Sequence, residues 1–270
     1  MSFVPSNDKV LFELAESGIA TVTLNNPEKH NAFDDDIIKT LTETFEYIAS
    51  QGDIRLMVLA SNGKSFSAGA DLGWMKRMAS YSYDQNLADA NALARMLHAL
   101  NFLPQPTIGQ IQGAAFGGAV GLASCCDIVI ASEKASFCLS EVKLGLIPAT
   151  ISPYVVSAIG LKASRRYFMT AERFFADKAQ HLGLVDEVVS PDALEGAVTD
   201  MCQLLLANGP RAVKAAKQLA FDVAYRPVDQ NLMKDTSERI AAIRVSEEGQ
   251  EGLNAFFEKR PARWLATGEE

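Results

Sequence analysis

The chain has 270 residues, 48% of them hydrophobic and 21% charged, which is the composition of a globular protein with room for a large core. Its net charge of -8 argues against nucleic acid and anionic membranes as main partners, while leaving room for a local basic site. The opening residues, MSFVPSNDKV, lack the basic start and apolar core of a secretory signal, and the least polar stretch, Gly113 to Cys126, is too short to span a bilayer. A cytoplasmic protein with no membrane partner is expected.

The first elements read as β-structure. VLFELAES and IATVTLN alternate in polarity around Gly18, as in a hairpin. NPEKHNAF interrupts with Asn-Pro. Apolar residues then recur at Ile37, Leu41, Phe45 and Ile48, so residues 34–50 form a helix with acids in its first turn. IRLMVLAS is a continuous apolar run and predicts a buried strand. NGKSFSAGADL is a loop into a helix, and YDQNLADANALARMLHAL is a second amphipathic helix, ended by PQP. TIGQIQGAAF predicts another buried strand, FGGAVGLASCC a short helix, and DIVIAS a strand again. Strands alternating with helices favour α/β layers around a mostly parallel sheet. After Pro191 the pattern turns helical, through AVTDMCQLLLA, AVKAAKQLAFDVA and the run from Leu232 to Arg260. The expected division is an α/β core over 1–190 and a helical section over 191–270.

The cysteines, Cys125, Cys126, Cys138 and Cys202, form no C-x-x-C pair, and His30, His98 and His181 are far apart. Buried free thiols are expected, and no metal site.

The glycines of FGGAVGL need a reason, because glycine weakens a helix interior. Neither nucleotide motif is satisfied. Gly113 and Gly118 have P-loop spacing, but Ala119 stands where lysine must be; Phe116 takes the first glycine position of the dinucleotide fingerprint. What remains is a strand, two glycines and a helix start, where unpaired N–H groups suit an anion or an oxygen that becomes anionic. Tight packing of the helix on the sheet would use the same glycines. A second loop, SFSAGADL, also places small residues ahead of a helix, and two such loops can aim two N–H groups at one oxygen.

Several stretches together resemble one family. FSAGADL (66–72), QGAAFGGAVGL (112–122), CDIVIASEKASF (126–137) and LSEVKLGLIP (139–148) are similar to the crotonase family of enoyl-CoA hydratases and isomerases. NNPEKHNAF, AERFFADKAQHLGLVDEVV and GLNAFFEKRPARW extend the likeness from about residue 10 to the C-terminus. The resemblance implies an α/β crotonase fold: a spiral of ββα units with a C-terminal helical oligomerisation section, in a trimer or dimer of trimers. It implies that the N–H groups of Ala70 and Gly118 hold the thioester oxygen of an acyl-CoA. It matches Lys29, Ala68 and Asp71 to the CoA path, and Phe256 and Lys259 to residues that reach CoA across a subunit boundary. Solvated surface charge is the other reading of Lys29 and Lys259. CoA is then part of the substrate, and no separate cofactor is expected.

Many hydratases of this family use two glutamates. One matches Glu141; the position of the other is Gly121. Glu141 is therefore the candidate general acid/base, with a surface carboxylate as the alternative. GADLGWMKRMASYSYDQNLADA and CLSEVKLGLIPATISPYVVSAIG are similar to hydratases of methylglutaconyl-CoA (leucine breakdown) and isohexenylglutaconyl-CoA (acyclic terpene breakdown). The resemblance implies hydration of such a branched glutaconyl-CoA. Trp74, Met75, Phe116 and Gly121 are the expected pocket residues, although Trp74 and Met75 also fit a plain core. Lys76, Arg77 and Lys143 are candidates to meet a distal carboxylate. A Δ3,Δ2-enoyl-CoA isomerase, which needs one carboxylate, and a non-catalytic acyl-CoA-binding scaffold are the alternatives.

Overall fold

The structure is a computed structural model and describes residues 3–265. In chain order the strands are β1 (Val10–Leu14), β2 (Ile19–Leu24), β3 (Leu56–Ser61), β4 (Thr107–Ile111), β5 (Ala114–Phe116), β6 (Ile128–Ser132), β7 (Ser136–Cys138), β8 (Phe174–Phe175) and β9 (Glu187–Val189). The helices are α1 (Asp35–Ser50), α2 (Leu72–Met78), α3 (Tyr83–Asn101), α4 (Gly118–Cys125), α5 (Ser152–Thr170), α6 (Ala176–Leu182), α7 (Leu194–Leu206), α8 (Pro210–Val223), α9 (Gln230–Val245) and α10 (Glu247–Glu258).

β1 and β2 make the expected antiparallel hairpin, with Val10 opposite Leu24 and Leu14 opposite Ala20. From β2 onward the six-stranded sheet is parallel, in the order β1-β2-β3-β4-β6-β9. β3 shows why its sequence is a continuous apolar run. Met57 and Leu59 face the main core, whereas Leu56 and Val58 face Leu194, Val198 and Cys202 of α7 on the other side. A strand covered on both faces loses the polar alternation of a half-exposed one.

The stretch TIGQIQGAAF is not one strand. It breaks at Gln112–Gly113 into β4 of the large sheet and β5 of a second, three-stranded sheet ordered β5-β7-β8. A Cβ on Gly113 would come within 2.0 Å of the Lys64 carbonyl oxygen, so only glycine lets the chain turn there. The unit β4–β5–α4 is followed by β6–β7 and α5, the ββα repeat that the resemblance implies.

α1 buries Ile37, Ile38, Leu41, Phe45 and Ile48 and is capped by Asp34, whose side chain accepts from the Ile37 N–H at 3.0 Å. α1 packs on α3, and α3 on α4. The run from Leu232 to Arg260 is also two elements. Ser246 ends α9 and caps α10, accepting from the Gly249 N–H at 3.1 Å. α8 buries no residue fully, and α10 leaves Phe256 and Phe257 77% and 73% exposed. Among the described residues, no helix is long and apolar enough to cross a membrane.

Candidate active site

Two loops and one short turn meet around one cavity. The first loop follows β3. Its Ser67 carbonyl accepts from the Phe116 N–H and its Ser67 N–H donates to Ala114, both at 3.0 Å, which ties it to β5. Gly69 and Asp71 then pair with Phe33: the Phe33 N–H donates to Gly69 at 2.9 Å and the Asp71 N–H donates to Phe33 at 3.0 Å. This bridge fixes Ala70 between them and leaves its own N–H out of the backbone pairing among the described residues.

The second loop is the glycine pair. Gly117 takes a left-handed φ of 54°, which suits glycine, and its N–H donates to Cys138 at 2.8 Å. Gly118 is the first residue of α4, so its N–H has no acceptor within the helix. Phe33 lies under it, and a Cβ on Gly118 would come within 2.5 Å of the Phe33 ring. The phenylalanine thus supports both loops at once.

The third part is Glu141, at the start of the 3-10 turn Glu141–Leu144 that follows β7. A Cβ on Gly117 would sit 3.3 Å from Glu141 Oε1, so the carboxylate lies against the start of α4. Its Oε2 is buried and accepts no hydrogen bond. Burial pushes the Glu141 carboxyl above the usual glutamate range. A half-buried carboxylate with one buried oxygen left without a partner is costly to keep ionised, and such groups concentrate where chemistry needs them.

Ala70, Gly118 and Glu141 all line the same cavity of about 610 Å³. Its apolar wall comes from Phe33, Trp74, Met78, Leu93, Ile147, Pro148 and Ile151. Two unused main-chain donors and a carboxyl that holds its proton more tightly than usual can stabilise an oxyanion and move a proton beside it.

The other expected residues are placed less uniformly. Trp74 is buried and lines the cavity, but Met75 does not; Met78, one helical turn beyond Trp74, takes that place. Phe116 is also outside the lining, with the Arg173 guanidinium 4.7 Å above its ring. Gly121 leaves no room for substrate or water. A Cβ there would meet Ile151 Cγ2 at 2.4 Å, because Ile151 fills the volume a longer residue would need.

Asp71 is not a free ligand group. Its Oδ1 caps α2 by accepting from the Trp74 N–H at 3.0 Å, and its Oδ2 pairs with Lys29 Nζ at 2.9 Å. The Lys29 ammonium, followed by the Trp74 N–H, holds the Asp71 carboxyl below its usual range. Lys29 itself stays 58% exposed, free to meet a further anion. Ala68 is exposed, with its N–H committed to the His30 carbonyl at 2.9 Å. Phe256 is exposed on α10, and Lys259 caps that helix in a left-handed conformation; neither lines the cavity. Arg77 pairs with Asp35, and none of Lys76, Arg77 and Lys143 lines the cavity.

The sequence reading missed Phe33, Met78, Asp89 and Ile151. Met78 was accessible through its spacing from Trp74. Asp89 lies in a polar helix segment that reads as solvated, and nothing in ATISPYV marks Ile151 as the residue that fills the space beside Gly121.

Known proteins place the chain in a family. The enoyl-CoA hydratase/isomerase family profile matches residues 14–267. A crystal structure of an enoyl-CoA hydratase from Shewanella pealeana is 50% identical, covers 95% of this chain and 96% of its own, and superposes with a TM-score of 0.91. Pseudomonas aeruginosa AtuE is 31% identical with a TM-score of 0.91, covering 95% and 99%. The short-chain-enoyl-CoA hydratase of Clostridium acetobutylicum is 32% identical over 247 residues, 91% of this chain and 93% of that protein. With the spiral of ββα units, the paired loops and a match over nearly the whole length, the chain belongs to the enoyl-CoA hydratase/isomerase family and has the crotonase fold.

Proposed function

We propose that this protein is a hydro-lyase that adds water across the 2,3 double bond of an enoyl-CoA. The observation that supports the reading is that Ala70 and Gly118, whose N–H groups are outside the backbone pairing, line one cavity with Glu141, whose Oε2 is buried without a partner. In this reading the Ala70 and Gly118 N–H groups hold the thioester oxygen. Glu141 takes a proton from water as its oxygen attacks C3, and charge moves onto the thioester oxygen. The same carboxyl then delivers the proton to C2, so one group serves both transfers. Each aimed donor contributes about 2.7–4 kcal/mol to such a transition state.

The substrate proposed is a branched glutaconyl-CoA, 3-methylglutaconyl or isohexenylglutaconyl, in leucine or acyclic terpene breakdown. The stretches similar to those hydratases supply Trp74, Met78 and the loop 145–151, which wall the cavity. A second reading, Δ3,Δ2-isomerisation, is favoured by one observation: Gly121 and Ile151 leave Glu141 as the carboxylate next to the glycine pair. Lys29 is proposed to meet CoA phosphates, with Ala68 and the Asp71-anchored turn beside the CoA path. Phe256 and Lys259 are proposed to reach the CoA of a neighbouring copy in a trimer or dimer of trimers; the exposed Phe256 and Phe257 support self-association.

The test is incubation with 3-methylglutaconyl-CoA and crotonyl-CoA. Loss of the conjugated thioester absorbance with gain of one water by mass is the expected result. A mass-neutral shift of the double bond would replace hydration by isomerisation, and no reaction with either compound would leave the scaffold reading.

A further inference from the structure

A second acid lines the cavity. Asp89 stands on α3 with Asn86, Ala90 and Leu93, the spacing that puts all four on one helical face. It is no substitute for a carboxylate at position 121. Leu97, which lies 3.4 Å from where a side chain at Gly121 would begin, is eight residues further along α3, and eight residues of helix rise about 12 Å. Asp89 belongs instead to the part of the cavity walled by α2 and α3.

Its carboxylate is oriented but not neutralised. Oδ1 accepts from the Trp74 indole N–H at 3.3 Å, and among the described residues Asp89 makes no salt bridge. The charges around it are Arg77 of α2, already paired with Asp35; Asp35 of α1; and Glu141 on the same cavity. Burial pushes the Asp89 carboxyl up, and Asp35 adds to this, against Trp74 and Arg77. No lysine or arginine lines the cavity among the described residues.

Given that the cavity holds an acyl thioester, on which this rests, we propose that Asp89 is a charge filter for the acyl group. Its carboxylate favours chains that are uncharged or end in a hydrogen-bond donor, and it penalises chains that end in a carboxylate. On this proposal crotonyl-CoA is preferred to 3-methylglutaconyl-CoA, the opposite of the order that the branched glutaconyl substrate predicts, so comparing the two separates the readings. The substrate preference within the enoyl-CoA class is thereby set by one residue on α3.

Two unreactive thioesters isolate the effect. Pentanoyl-CoA and glutaryl-CoA have the same number of acyl carbons and differ in the terminal carboxylate. Their binding to the full chain is measured by calorimetry at neutral pH, for the parent and for Asp89→Asn, which keeps the shape and the oxygen that accepts from Trp74. The parent is expected to bind pentanoyl-CoA more tightly. Asp89→Asn is expected to tighten glutaryl-CoA about 10-fold and to leave pentanoyl-CoA within about 2-fold. A parent that prefers glutaryl-CoA, or a variant whose glutaryl-CoA affinity is unchanged or weaker, would overturn the proposal. Turnover of crotonyl-CoA by both proteins is followed separately. Its absence would count against hydration, while the binding contrast decides the role of Asp89 on its own.

Discussion

Glu141→Gln is expected to lower kcat for enoyl-CoA hydration by at least about 100-fold, the lower range for loss of a general acid/base. The glutamine keeps the shape of the side chain and removes the group that carries protons, so binding of an unreactive acyl-CoA should change little. The same substitution should act on stability in the opposite direction. A carboxyl whose folded-state pKa is raised contributes stability that is fully present below its unfolded value, near 4.5, and is lost as pH rises through the raised value. Once the pH passes the raised value, the parent bears charge on a carboxylate whose Oε2 is buried without a partner, and the variant does not. Thermal melts should show Glu141→Gln melting above the parent at neutral pH, with the gap closing below about pH 4.5. Unchanged turnover would make Glu141 structural, and a lower melting temperature at neutral pH would mean that the carboxylate has a partner after all.

The second large effect is expected from Ala70→Pro. The bridge to Phe33 uses Gly69 and Asp71, not the Ala70 N–H, so proline removes one donor while leaving every backbone bond of that bridge in place. If the amide holds the thioester oxygen, kcat should fall about 10²–10³-fold. The variant should still fold, which circular dichroism checks. A fully active variant would remove Ala70 from the oxyanion pair. Gly118 is a poorer target, because any side chain there runs into the Phe33 ring.

Most of the layering was legible in the sequence. The continuous apolar run of β3 and the 3.6-residue spacing of α1 each reflect what those residues pack against. The join of β4 and β5 was not legible, because both halves are apolar. The switch between sheets is enforced by the Lys64 carbonyl against Gly113, a contact between residues 49 positions apart. Ser246 was legible as a cap only once its side chain was seen to accept from Gly249.

At the site, local chemistry was readable and volume was not. Small residues ahead of helices marked the two loops as open backbone, and the family resemblance picked out Ala70 and Gly118 within them and Glu141 in the turn after β7. What fills the space around them depends on chain brought in from elsewhere. Gly121 reads as a pocket residue, yet Ile151 packs against the face where its side chain would begin. Asp71 reads as a ligand, yet its two oxygens serve the start of α2 and Lys29. Phe116 reads as a pocket residue, yet its ring packs under Arg173.

One measurement bears on all of this at once: a crystal structure of the protein with a non-hydrolysable acyl-CoA ketone analogue, in which CH2 replaces the thioester sulfur and the carbonyl is retained. The carbonyl oxygen is expected within about 2.7–3.1 Å of both the Ala70 and Gly118 amide nitrogens, with the Glu141 carboxylate facing C2 and C3. An analogue seated elsewhere, or a carbonyl turned away from the two amides, would contradict the assignment of this cavity as the place where the reaction occurs.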